Sequence, residues 1–229
     1  MSILAVLPGQ ALGGFDAVSR DWSAGVPENG ILAYEVRLKG KRVGFQYFSF
    51  ENQQDGALKV DITINLNIKF GFIPVFRYAH RNTETWRDGL LTSIVSRTDN
   101  NGEDVFVNLA TVNGVIKGAA SRFDNNLLQP LLSTSYFNPN FIHQNKLLSS
   151  QDGRLLNVSV DYIGEEWVPV EYGQAQAHHF RLDGDLKIDI WYSEDGRWVR
   201  TEVDSKAGRV EIRPISPEFL PPRRKWRMP

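Results

Sequence analysis

The chain contains no cysteine among its 229 residues. This absence excludes disulfide bonds, thiolate metal sites, iron–sulfur clusters and thiol catalysis. No run of about eighteen apolar residues occurs, so the sequence predicts no membrane-spanning helix. The 26 Lys and Arg residues nearly cancel the 27 Asp and Glu residues, which argues against both a basic nucleic-acid-binding protein and an acidic disordered chain. The composition therefore favours an ordinary globular protein that binds no nucleic acid.

Motifs of catalysis and cofactor binding are also missing. The chain has no Gly-x-Ser-x-Gly elbow, no Ser-x-x-Lys pair and no glycine-rich phosphate loop, and its four histidines show no metal-ligand spacing. In a strand His80 and Glu84 would lie about 13 Å apart, too far to share one ion. We therefore expect no metal, no cofactor and no catalytic residue. His80 with Glu84 is the best-placed polar pair if the protein is instead a hydrolase or isomerase.

Apolar and polar residues alternate strictly over one long segment. From Leu58 to Phe70 every even position is apolar and every odd position is polar, which predicts a strand with one apolar face. At about 3.3 Å per residue it would span roughly 40 Å, a length found where a sheet curls. Weaker alternation recurs along the chain between Asp-Gly and Asn-Gly pairs, which suit tight hairpins. The expected fold is all-β, a strongly curled antiparallel sheet forming an open or half barrel.

One segment interrupts the alternation. Residues 124–135 contain paired leucines at Leu127/Leu128 and Leu131/Leu132 on either side of Pro130. This spacing predicts a short helix or a loop that plugs the mouth of the sheet.

A single β-rich domain is expected over residues 25–215. Residues 1–24 begin with a short apolar stretch followed by small residues, which is typical of the remnant of an export signal; an apolar segment that packs on the core is the alternative. Residues 216–229 form a Pro-rich basic tail outside the sheet. Its cations suggest peripheral contact with anionic lipid, against the alternative of a solvated tail. These cations are Arg223, Arg224, Lys225 and Arg227.

The aromatic residues suggest an apolar pocket inside the curled sheet. We expect an acyl chain or other apolar ligand to be held there. The predicted lining residues are Phe45, Phe48, Phe70, Leu127 and Leu131. The alternative is that these side chains interdigitate into a solid core.

Motifs in the middle of the chain resemble a bacterial family of uncharacterised proteins, the domain of unknown function numbered 6134. The resemblance covers residues 30–215. It rests on Arg77-Tyr78-Ala79-His80, Glu84-Thr85-Trp86-Arg87-Asp88-Gly89-Leu90, Thr98-Asp99-Asn100-Asn101-Gly102 and Asp189-Ile190-Trp191-Tyr192, among others. It implies an exported protein without established catalytic residues, and it marks Arg77, His80, Glu84 and Trp86 as a polar cluster. For this cluster we favour a local Arg–Glu pair that fixes the strand register.

In architecture, the expected fold is also distantly similar to the half-barrels of periplasmic lipoprotein carriers, which is analogy at the level of fold. The leading hypothesis is a non-enzymatic cell-envelope protein, periplasmic or otherwise exported, that binds a lipid or acyl chain. A cytoplasmic location is the alternative. The other two hypotheses are a structural or partner-binding module and an enzyme acting on an envelope lipid or glycan.

Overall fold

Strands account for most of the chain that the computed structural model describes, which comprises residues 14–70, 72–123, 127–128, 131–170 and 173–221. The first eight strands are β1 (Ile31–Leu38), β2 (Lys41–Asn52), β3 (Leu58–Phe70), β4 (Ile73–Arg87), β5 (Leu90–Asn100), β6 (Glu103–Val112), β7 (Val115–Ala120) and β8 (Leu127–Leu128). The others are β9 (Leu132–Ser133), β10 (Lys146–Leu148), β11 (Leu155–Val170), β12 (Gly173–Gly184), β13 (Ile188–Tyr192), β14 (Trp198–Ser205) and β15 (Gly208–Pro214). Short 3₁₀ turns cover Gly14–Ala17, Pro139–His143 and Pro217–Phe219.

Local sequence signals explain the hairpins. β3 spans the residues that the alternation predicted, and Leu58, Val60 and Ile62 on its apolar face are at most 4% exposed. Four hairpins close through two-residue turns in which both residues have positive φ, a conformation that Gly, Asn and Asp tolerate. These turns are Lys39-Gly40, Asp88-Gly89, Asn101-Gly102 and Asn113-Gly114.

All the strands belong to one rolled sheet. The strand order of the sheet is β8-β7-β6-β5-β4-β3-β2-β1-β15-β14-β13-β12-β11-β10-β9. Strands β9 and β10 pair in parallel, and the other described strand pairs of the sheet are antiparallel. The two edge strands, β8 and β9, are consecutive in the chain, so Leu128 and Leu132 lie at most about 14 Å apart. The sheet therefore rolls until its edges approach without pairing, which confirms the open barrel predicted above.

Residues 131–151, which include the short strands β9 and β10, form a plug that fills the inside of the rolled sheet. Phe137, Phe141, Ile142, Leu147 and Leu148 are at most 1% exposed and form one core with inward residues of the wall strands. A plug is thus present, and it continues well past the leucine segment. The described part of that segment forms β8, β9 and the buried Leu131 rather than a helix, while residues 124–126 and 129–130 lie outside the described chain.

The antiparallel order sends alternate turns to opposite ends of the barrel. One end carries the β1–β2, β3–β4, β5–β6 and β14–β15 turns. The other end carries the β2–β3, β4–β5, β11–β12 and β13–β14 turns.

Candidate functional site

Of the residues predicted to line an apolar pocket, the three with described side chains border none of the described depressions. Phe48 and Leu131 are 0% and 4% exposed within the solid core. Phe45 lies on the outer face of β2, where the Arg42 guanidinium sits 5.0 Å from the centre of its ring. Its placement inside the barrel was wrong because residues three apart in a strand face opposite sides. The side chains of Phe70 and Leu127 are outside the described part of the structure.

A buried polar cluster joins the plug to the inner faces of β4 and β5. His80 Nδ1 lies 2.8 Å from Thr98 Oγ1. The Glu84 carboxylate accepts hydrogen bonds from Asn82 Nδ2 at 2.8 Å and from the Trp86 indole N–H at 2.9 Å. The plug is held by neighbouring hydroxyls, since Ser96 Oγ donates to the Ser150 carbonyl at 2.6 Å and Thr98 Oγ1 donates to the Gln151 carbonyl at 3.3 Å. These side chains fix the plug against the wall.

The predicted Arg–Glu pair does not form. Arg77 lies on the exposed outer side of β4, and its backbone N–H donates to Asn101 Oδ1 at 3.2 Å. Glu84 is completely buried on the inner side. Positions separated by seven residues in a strand face opposite sheet faces, so the two side chains cannot meet. The structure therefore brings His80, Glu84 and Trp86 to the interior and leaves Arg77 outside.

Burial controls the ionisation of this cluster. Desolvation lowers the pKa of His80 to about 4 and raises the pKa of Glu84, because a dry interior disfavours either charged form. The two residues have separate hydrogen-bond partners, and neither borders a described surface depression. In this setting they act as buried hydrogen-bonding groups, and no access for a substrate is seen.

His80 should make stability depend on pH. Its folded pKa, about 4, lies below its ordinary value of 6.5, so the unfolded chain binds more protons between these pH values. The stability is full above pH 6.5 and is lost as the pH falls toward 4, by about 3 kcal/mol. His80→Asn keeps a hydrogen-bonding group for Thr98 but does not titrate. We therefore expect this variant to lose less stability between pH 6.5 and 4 than the wild type does, as measured by denaturant titrations. His143→Asn is the comparison variant: burial lowers the pKa of this histidine as well, but less strongly, so it should flatten the fall less than His80→Asn does. An unchanged slope for His80→Asn would contradict the assignment.

Two features are absent from the described residues: a cluster of metal-ligating side chains and a helix able to span a membrane. No three His, Asp or Glu side chains within them converge as metal ligands would. No helix among them has the length and apolar character needed to cross a bilayer. The basic tail residues Arg223, Arg224, Lys225 and Arg227 lie outside the described chain.

The most exposed apolar side chain of the described residues, Phe72, lies at the β3–β4 hairpin tip, which we define as residues 69–77. Phe72 is 101% exposed and Val75 is 53% exposed. The last pairs to the neighbouring strands are Gly44 with Leu66 and Tyr78 with Asn100, so the tip extends beyond both pairings. Phe72 and Val75 expose two apolar side chains within one hairpin tip, and neighbouring exposed apolar residues mark a contact surface better than isolated ones do.

The charged residues at the hairpin tip and in the strand segments next to it are all cationic. Residues 62–83 contain no Asp or Glu and carry Lys69, Arg77 and Arg81. A depression of about 370 Å³ runs along its base, between polar side chains and the exposed ring. Its lining includes Asn65, Asn67, Lys69, Phe72, Pro74 and Arg77. The tip was not predicted from the sequence, although the stretch without acidic residues was a readable signal.

Comparison with known proteins gives a family and a fold. Residues 34–215 match the family model described as a domain of unknown function, DUF6134. No curated protein matches the chain. A solved structure, the beta-barrel-like protein of domain of unknown function DUF1849 from Brucella abortus, is similar with a TM-score of 0.56 and 13% sequence identity. The similarity covers 81% of this chain and 95% of that one, and at this identity it supports the barrel-like fold alone.

Proposed function

The chain belongs to the DUF6134 family, whose function is unknown, and we propose that it is a non-enzymatic envelope protein that binds lipid through the β3–β4 hairpin tip. The proposal keeps the apolar ligand expected from the sequence but moves the contact from the interior to the outside. Export to the envelope is part of the same proposal and is motivated by the apolar N-terminal stretch.

The observation that carries the proposal is the complete exposure of Phe72 on a cationic hairpin. Removing a phenylalanine side chain from water contributes about 1.5–3 kcal/mol. Each Lys or Arg near an anionic bilayer adds about 1 kcal/mol, and Lys69 and Arg77 flank the ring. The combination of an apolar tip and adjacent cations is typical of surfaces that lie at the lipid headgroup boundary.

The interior offers less support for binding. Phe137, Phe141 and Leu147 occupy the space that an acyl chain would need. The enzyme hypothesis also loses its best residues, since His80 and Glu84 are buried away from any described cleft. A protein partner at the same tip is an outcome that the vesicle experiment below separates from lipid.

We expect Phe72→Ser to weaken binding to phospholipid vesicles by about 10- to 100-fold, because the lost burial is worth about 1.5–3 kcal/mol. Flotation or co-sedimentation of the full chain with vesicles of phosphatidylcholine and phosphatidylglycerol measures this change. The control is Trp167→Ser, which removes a 61% exposed aromatic from the β11–β12 hairpin at the opposite end of the barrel.

Two results would contradict the proposal. One is wild-type protein that does not bind vesicles, which would leave the tip as a protein contact. The other is equal weakening by Phe72→Ser and Trp167→Ser, which would show general stickiness of exposed aromatics rather than a defined contact.

A further inference from the structure

Two arginines face each other across β4 and β5 without a counter-ion. Arg81 is the direct cross-strand partner of Arg97, and both side chains are exposed on the outer face. Neither guanidinium makes an ion pair or a hydrogen bond with the described residues. Like charges directly opposite each other destabilise a strand pair, so this arrangement is unfavourable until an anion is added.

Two carboxylates near this face, Asp61 and Asp99, are engaged elsewhere, while the exposed Asp104 lines a depression with Arg97 without a described ion pair to it. Asp61 binds the Lys59 ammonium at 2.8 Å and accepts a hydrogen bond from Thr83 at 2.6 Å. Asp99 is 6% exposed and accepts from the Gly102 N–H at 2.7 Å. The positive charge of Arg81 and Arg97 is therefore directed to solvent.

On the other side of the barrel several outward cations are paired with carboxylates. On β13–β15 and β1 the outward cations meet acidic partners. Arg200 pairs with Glu202 and Glu211, and Arg213 pairs with Glu35 at 2.8 Å. The side that carries the hairpin tip also has ion pairs, such as Lys59 with Asp61, but Arg77, Arg81 and Arg97 have no carboxylate partner among the described residues.

The face that carries these arginines is continuous with that tip. Arg77 and Arg81 are four residues apart on one face of β4, about 13 Å along the strand. Arg77 faces Asn67 across the hairpin and shares the 370 Å³ depression with Lys69 and two asparagine side chains. Guanidinium groups bind phosphate in a planar, two-pronged manner, and the amides add further donors.

We propose that the outer face of β3–β5 binds the phosphate of anionic phospholipid, with Arg77, Arg81 and Arg97 as the recognising residues. The inference rests on the proposed function and deepens it: the Phe72 tip supplies insertion into any bilayer, and the arginine face selects anionic headgroups. The molecule then lies with this side of the barrel toward the membrane, and its neutralised β13–β15 side faces away.

The test compares vesicles of pure phosphatidylcholine with vesicles that contain 30% phosphatidylglycerol. Arg81→Gln/Arg97→Gln in the full chain is expected to reduce the preference for anionic vesicles by about thirtyfold, roughly fivefold for each lost cation. Binding to pure phosphatidylcholine should stay within about twofold, since Phe72 is untouched. The matched control, Lys117→Gln/Lys146→Gln, removes the same charge from exposed and unpaired lysines elsewhere, and it should change the preference less than about threefold.

Folding of the double variant is checked by its thermal midpoint. The midpoint is not expected to fall, because the substitution relieves repulsion between opposed cations. A loss of preference in a folded variant, absent from the control, supports the arginine face.

Other results overturn the inference in distinguishable ways. An equal loss of preference for anionic vesicles in both double variants would show that only the net charge of the protein matters. An unchanged preference in the arginine double variant would contradict lipid recognition by the arginine face but not binding through Phe72. Wild-type protein that binds no vesicle would contradict the proposed function as well. Competition by millimolar inorganic phosphate that abolishes vesicle binding would assign the site to the free anion instead of lipid.

Discussion

Phe137→Ala is expected to lower the free energy of unfolding by about 3–5 kcal/mol, the range for a buried phenylalanine cut back to a methyl group. Phe137 is 0% exposed at the centre of the plug. Its ring contacts Trp86 and Phe50 edge to face, at centroid distances of 5.2 Å and 5.3 Å. Because the rolled sheet surrounds this position, the wall is unable to collapse fully into the space left behind. Chemical denaturation at neutral pH measures the loss.

The same variant tests whether the barrel is solid. A dry cavity of the size of a phenyl ring binds small apolar molecules, so Phe137→Ala should gain affinity for a probe such as benzene that the wild type lacks. Phe106→Ala, at a 40% exposed site on the outer face of β6, is the control and should cost less than about 1 kcal/mol. A small loss for Phe137→Ala, or probe binding by the wild type, would reopen the interior as a ligand site.

The strands and hairpins were readable from the sequence because their signals are local. Strict alternation over Leu58–Phe70 defines a strand by itself, and turn pairs such as Asn101-Gly102 define its neighbours. The contents of the barrel depend instead on contacts between distant parts of the chain. Nothing local in residues 136–148 distinguishes a plug from a surface loop, and this is why the core was expected to be open.

Only part of the arrangement of the polar cluster could be predicted from the sequence, for a related reason. Arg77 and Glu84 are seven residues apart, so in one strand they face opposite sides of the sheet. Once residues 73–87 are predicted to form a strand, the sequence alone excludes an ion pair between them. The true partners of Glu84 include Asn82 and Trp86, two positions away on the same face. Its further neighbours come from the plug, because Ser133 and Ser135 hold down the pKa that burial raises. Those contacts require the tertiary fold.

The polar and charged side chains of this protein thus have different partners on the two faces of the sheet. Most inward polar residues are hydrogen-bonded to each other and to the plug, as buried polar groups usually are, and Asn82 Oδ1 is the exception within the described residues. Outward residues of β13–β15 are neutralised in ion pairs such as Arg209 with Glu202 at 2.5 Å. The hairpin tip and the adjacent arginines leave apolar area and charge without a partner among the described residues, and this is the reason for proposing a binding surface on the outside of the sheet.

Glu84→Ala is expected to cost about 3–5 kcal/mol of unfolding free energy, because it leaves the Asn82 amide and the Trp86 indole N–H buried without an acceptor, at about 1–3 kcal/mol each, and also opens a small void. Glu84→Gln should cost far less. Its carbonyl accepts from Trp86, and its amide donates to Asn82 Oδ1, the buried oxygen for which no partner is found in the described structure, once the Asn82 amide rotates by half a turn. Exposed Glu165→Ala is the control, expected within about 0.5 kcal/mol of wild type.

The glutamine variant also isolates the ionisation of Glu84. Since burial raises the folded pKa of Glu84 above its ordinary value of 4.5, the folded chain binds more protons above that pH, and the corresponding stability is lost as the pH rises through the folded pKa. Glu84→Gln should therefore remove a loss of stability on the alkaline side while leaving the His80-dependent loss between pH 6.5 and 4 in place. Denaturant titrations from pH 4 to 9 separate the two limbs. Parallel pH profiles for wild type and Glu84→Gln would show that Glu84 ionises as freely in the folded chain as in the unfolded one, and the account of a dry, plugged interior would then fail at the residue on which it depends most.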